Sequence, residues 1–61
     1  MKYRIWLVNF GWYSQHEFAT EAEALEYAKG TSFECRIDLG DKPVGFYSYF
    51  GGYRRYQEEN A

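Results

Sequence analysis

The order of apolar and polar positions divides the chain into two strand pairs around one helix. From Lys2 to Phe10 the residues are branched or aromatic and strand-prone, and after Gly11 a second extended run follows, Trp12 to Phe18. A two-residue turn at Phe10-Gly11 joins them in a hairpin with Val8 opposite Tyr13, Trp6 opposite Gln15 and Arg4 opposite Glu17 on one face. The last of these is an opposite-charge pair, which favours the register. Leu7, Ile5 and Tyr3 fall on the other face beside Ser14, His16 and Phe18. Phe10 suits a tight primed turn poorly, which leaves room for a longer loop.

Thr20-Glu21-Ala22-Glu23 has the spacing of a capping box, in which the Thr20 hydroxyl accepts from the Glu23 N–H and the Glu23 side chain reaches back to the cap N–H. A helix of about ten residues is predicted from there to Gly30, whose conformational freedom suits a left-handed stop. Ala24, Leu25 and Ala28 share one stripe, with Glu21, Glu23 and Glu26 early and Lys29 late, as the helix dipole prefers. A helix this short is not stable alone, so it must lie on a sheet.

Phe33 to Leu39 alternates apolar and polar residues without a break, the pattern of a half-buried strand. Gly40-Asp41-Lys42-Pro43 is turn chemistry, and Val44 to Phe50 reads as a fourth strand. Pairing Leu39 with Val44 sets Ile37 opposite Phe46, Cys35 opposite Ser48 and Phe33 opposite Phe50, all on the helix side. Arg36 then meets Tyr47 and Glu34 meets Tyr49 on the open side. The expected fold is α+β: a ββαββ domain over residues 1–52, four mainly antiparallel strands in the order 2-1-3-4, and one helix packed on one face. Gly51-Gly52 ends the sheet, and residues 53–61 form a polar C-terminal tail.

Composition sharpens this picture. Two Trp, seven Tyr and five Phe stand in a chain of 61 residues that has only two Ile, three Leu and two Val, so rings must supply much of the core. The pleat sends Tyr3, Phe18, Phe33, Phe46 and Phe50 inward and Trp6, Tyr13, Tyr47 and Tyr49 to the open face. One Cys and one His exclude an intrachain disulfide and a four-ligand zinc site. No metal or other cofactor is expected. The run Ile5-Trp6-Leu7-Val8 is far too short to span a bilayer, and the expectation is a cytoplasmic protein without a membrane partner. A net charge of −2 argues against a duplex-DNA binder held by counterion release.

The candidate chemistry lies on the open face, where Trp6, Tyr13, Tyr47 and Tyr49 project beside Arg4, Arg36 and Lys2. Trp, Tyr and Arg dominate protein-interface hot spots, and the same rings and cations stack unpaired bases and hold phosphates. Arg54 and Arg55, within Tyr53-Arg54-Arg55-Tyr56, extend this set, although Glu58 and Glu59 cancel their charge a few residues on. His16 and Cys35 are the one conventional base and nucleophile, with no third orienting group, so no enzyme is expected. Glu21, Glu23 and Glu26 read as a solvated acidic helix surface.

These features describe a small non-enzymatic binding module, an accessory or inhibitory factor whose partner is an unidentified protein or a second copy in a homodimer. The alternative is a binder of single-stranded nucleic acid that uses the same face with Arg54 and Arg55. In size, acidity and ββαββ order the chain resembles the small accessory proteins encoded in bacteriophage and bacterial genomes.

Overall fold

A computed structural model of the chain describes residues 2–56. Its elements are β1 (Tyr3–Leu7), β2 (Trp12–Phe18), α1 (Glu21–Thr31), β3 (Cys35–Leu39), β4 (Lys42–Ser48) and β5 (Gly52–Arg55). All neighbouring strands pair antiparallel in one sheet of order β2-β1-β3-β4-β5, with α1 on one face. The α+β class and the order of the first four strands are as expected, but the sheet has five strands rather than four. Gly51-Gly52 does not end it. The Ser48 hydroxyl accepts from the Gly51 N–H at 3.0 Å and Gly52 takes φ 74°, which turns the chain back so that Gly52–Arg55 pairs with β4. The segment expected to be a tail therefore begins as β5, and its remainder, 57–61, lies outside the described residues.

The helix starts where its cap predicts. Thr20 is extended and its hydroxyl accepts from the Glu23 N–H at 3.2 Å, while the Glu23 carboxylate accepts from Ala19 N–H, one residue before the expected cap amide. Its end differs. The helix passes through Gly30 to Thr31, and Ser32 takes the left-handed position at φ 64°. The Thr31 hydroxyl donates to the Ala28 carbonyl at 2.9 Å, satisfying one of the carbonyls a helix end leaves open.

Both hairpin registers depart from expectation, and the second departure matters more. In the first hairpin Tyr3↔Phe18 and Arg4↔Glu17 pair as predicted, but an irregularity follows and Trp6 meets Tyr13 rather than Gln15. The chain takes a longer loop over residues 8–11, with Phe10 and Gly11 N–H both donating to the Leu7 carbonyl. In the second hairpin the turn is the tighter Gly40-Asp41, with Gly40 at φ 64° and Leu39 paired with Lys42. A bulge between Ile37 and Asp38 then leaves Ile37 facing Gly45 and Arg36 facing Phe46. This is a one-residue slip from the predicted pairing, and with a side-chain period of two it exchanges the faces. Tyr47, expected on the open face, packs against the core, and Phe46, expected in the core, is on the open face.

The core under α1 is Ile5, Ala24, Ala28, Cys35 and Ile37, all fully buried, closed over by Tyr3, Leu7, Phe18, Leu25, Tyr27, Tyr47 and Tyr53. Alanines on α1 let the helix approach the sheet, and rings fill the margin. Of the five rings expected inside, Tyr3 and Phe18 are there, whereas Phe33 and Phe50 are exposed. Burial raises the Cys35 thiol above its ordinary pKa, the state of an unreactive core cysteine.

Tyr53 ties β5 to the helix. Its hydroxyl donates to the Glu21 carboxylate, which also accepts from Arg55 Nε at 3.0 Å and Nη2 at 2.9 Å. Burial first, and then the adjacent Glu21 carboxylate, push the Tyr53 phenol above its ordinary pKa. Because the folded value lies above the unfolded value of about 10, the contribution is complete below pH 10 and is lost as pH rises from there. We expect the urea midpoint of the wild type to fall more steeply than that of Tyr53→Phe between about pH 10 and about pH 12. Equal slopes would remove Tyr53 as the titrating group.

Candidate functional site

The open face is built by the alternation of each strand, and its register aligns one side chain from every strand in a single row. Tyr13 on β2 faces Trp6 on β1, Trp6 faces Arg36 on β3, Arg36 faces Phe46 on β4, and Phe46 faces Arg54 on β5. At about 4.8 Å per strand the row runs roughly 20 Å across the sheet. The next row away from the loops holds Glu17, Arg4, Asp38 and Pro43. α1 lies wholly on the opposite face.

Asp38 is the centre of the polar contacts. Its side chain is 1% exposed, although it stands on the face without a helix. Arg36 donates to it from Nε and Nη2, both at 2.8 Å, and the Tyr13 hydroxyl donates at 2.6 Å. Arg36 Nη2 also donates to the Tyr13 oxygen at 3.3 Å. This two-pronged geometry is the strong form of an ion pair, and the hydrogen bonds to Asp38 raise the guanidinium pKa further. Rings complete the enclosure. Trp6 and Tyr13 meet edge to face at 4.8 Å, the Arg4 guanidinium lies 3.7 Å from the Tyr13 ring centre, and Arg36 lies 5.3 Å from Trp6.

Of the residues expected to form a binding face, Arg4, Trp6, Tyr13 and Arg36 come together as predicted, and Arg54 joins them through β5. Three do not. Tyr47 points to the helix side because of the register slip. Tyr49 lies in the β4–β5 turn, edge-on to Phe50, and is not on a strand. Arg55, one residue from Arg54, alternates to the helix side and is bound to Glu21. Sequence reasoning missed Phe46, which the slip brings into the row, and Asp38, which the alternation of Arg36-Ile37-Asp38 places beside Arg36.

It also missed a second aromatic surface. Leu7, Trp12, Cys35, Ser48 and Gly52 mark the same end of the sheet, so the loops at residues 8–11, 32–34 and 49–51 cluster there. Val8, Phe10, Trp12, Phe33, Tyr49 and Phe50 are all exposed at this end, Trp12 at 60% and Phe50 at 96%. Phe10 stacks on Trp12 and meets Phe33 edge to face. The signal was present as aromatics flanking the turn glycines, Phe10-Gly11-Trp12 and Tyr49-Phe50-Gly51-Gly52. Val8 follows directly after β1, its N–H donating to the Glu34 carbonyl at 3.2 Å, so this end begins two residues beyond Trp6.

A shallow groove beside α1 is lined by Glu21, Ala22, Leu25, Tyr53, Arg54 and Arg55, but its central charges already satisfy each other. Among the described residues no group of three or more His, Cys, Asp or Glu side chains is placed to hold a metal ion, and no helix is long and apolar enough to cross a membrane. No protein-family model matches the chain, and no curated protein or solved structure is significantly similar to it, so its own residues carry the functional reading.

Proposed function

We propose that this chain is a non-enzymatic protein-binding module that docks through its open sheet face. The observation that carries this reading is the row Tyr13, Trp6, Arg36, Phe46, Arg54, a run of rings and cations across all five strands with the helix on the other side. Trp, Tyr and Arg are the residues in which interface binding energy concentrates. The row's rings are half-buried, and the exposed apolar side chains lie at the loop end of the same sheet.

The state of the cations favours protein over single-stranded nucleic acid. A base-stacking platform needs open ring faces and cations free to meet phosphates. Here Arg36 is committed to Asp38, Arg4 covers a face of Tyr13, and Glu17 adds negative charge beside the row, so of the row's two cations Arg54 alone stands outside an ion pair among the described residues.

A photo-crosslinking residue at Phe46, introduced into the chain in its source cells, should capture a protein. Trp6 fluorescence, recorded in a Trp12→Phe background, should stay unchanged on titration with oligonucleotides at low salt. Salt-dependent quenching would favour the nucleic-acid reading, and the absence of any protein adduct would remove the protein reading.

A further inference from the structure

We propose that the protein partner is a second copy of this chain, docked open face to open face about a two-fold axis that runs parallel to the strands over β3. The inference rests on the protein-binding reading above and adds the identity of the partner. Such an axis lays β2 of one copy over β5 of the other and keeps every residue at its own level along the strands. The row then meets its own reverse. Tyr13 faces the partner subunit's Arg54, and Trp6 faces the partner subunit's Phe46. Each pairing occurs twice by symmetry, as cation on ring and ring on ring.

At the centre Arg36 faces the partner subunit's Arg36. Each guanidinium is already neutralised by its own Asp38 at 2.8 Å, which lowers the like-charge cost of bringing the two together. The edges match in charge as well. Glu17, in the adjacent row on β2, comes over the partner's β5 near Arg54, which has no ion-pair partner among the described residues.

A two-fold axis across the strands would instead set Arg36 on the partner's Asp38 and Trp6 on the partner's Arg4. That arrangement lays β2 over the partner's β2 rather than its β5, so Glu17 no longer comes near the partner's Arg54. Two sheets aligned along their strands pack with their inner side chains interdigitated. A stable interface needs about 800 Å² per partner, about a fifth of the 4231 Å² surface.

The test is the mass of the full-length protein by sedimentation and light scattering from micromolar to millimolar concentration. The wild type should double its mass. Arg54→Glu and Glu17→Lys should each weaken the dimer about tenfold or more, and an equimolar mixture of the two should restore it, because in the mixed pair each substituted charge meets an opposite one. Phe46→Ala should weaken the dimer without any change of charge, and circular dichroism and urea unfolding establish that each variant is folded. A single-chain mass at millimolar concentration would overturn self-docking, as would a dimer indifferent to all three substitutions or no rescue on mixing. A monomer that still crosslinks a different protein through position 46 overturns self-docking alone. The absence of every protein adduct overturns both readings.

Discussion

Replacing Asp38 with alanine is expected to lower the unfolding free energy by about 3 kcal/mol, at the lower end of what breaking a buried ion pair costs. The lower end applies because Arg36 is 32% exposed and can recover part of its solvation, whereas Asp38 is 1% exposed and the Tyr13 hydroxyl loses its acceptor with it. A domain of this length has a total stability of roughly 3 to 9 kcal/mol, so the substitution consumes a large part of it. The urea midpoint should fall sharply at constant slope, or the chain should be largely unfolded at room temperature. Asp38→Asn, which keeps an acceptor for one of its two partners, should lose less. A loss below about 1 kcal/mol for the alanine variant would show that the contacts at Asp38 are worth no more than a surface pair.

The sequence pattern does not single out Asp38, and the reason is physical. Alternation assigns Arg36 and Asp38 to the side opposite Ile37, and a polar residue opposite a buried one reads as solvent-facing. What encloses Asp38 is the neighbourhood across strands: Tyr13 from β2, two strands away in the sheet, and Arg4 directly opposite on β1. Such neighbours depend on register, and register is what local pattern constrains least.

What was legible depended on short-range chemistry. The Thr20 cap, the alanine stripe and the strand expected over Phe33–Leu39, observed as Cys35–Leu39, follow from residues close in sequence or from the period of one element, and the antiparallel pairing of β1 with β3 follows from the single helix that connects the hairpins. The errors arose where one residue of slack was available. Gly40-Asp41 closes a tighter turn than Gly40 to Pro43, and the bulge that accommodates Pro43 and Val44 completes the slip that exchanges Phe46 and Tyr47. The open face survived the slip because a ring sits at either position. Arg4, Trp6 and Arg36 lie on the inner strands β1 and β3, whose mutual pairing has no shift, and Tyr13 stays on their face although β2 is an edge strand with an irregularity; Tyr47 moves with the slip of β4, Tyr49 falls in the turn after it and Arg55 lies on the edge strand β5.

The edge is also where the second large effect lies. Gly45 is buried beneath the ring of Tyr53, and a Cβ there would stand 2.5 Å from Tyr53 Oη and 2.6 Å from Cε1. The ring could swing aside, but only by giving up the Glu21 carboxylate and its place against the core. Gly45→Ala is therefore expected to destabilise the fold by about 2 kcal/mol, as overpacking does, despite the usual gain from replacing a strand glycine. In a Tyr53→Ala background the same change should be neutral or stabilising, because the space is empty. A double-mutant cycle in urea should thus give a coupling of about 2 kcal/mol between two residues on adjacent strands. Equal costs in both backgrounds would show that the ring does not depend on the missing side chain. The contact reaches the open face as well: by holding β5 on β4 it sets Arg54 at the end of the row, so under the proposed self-docking Gly45→Ala should also weaken the dimer at protein concentrations where the chain remains folded.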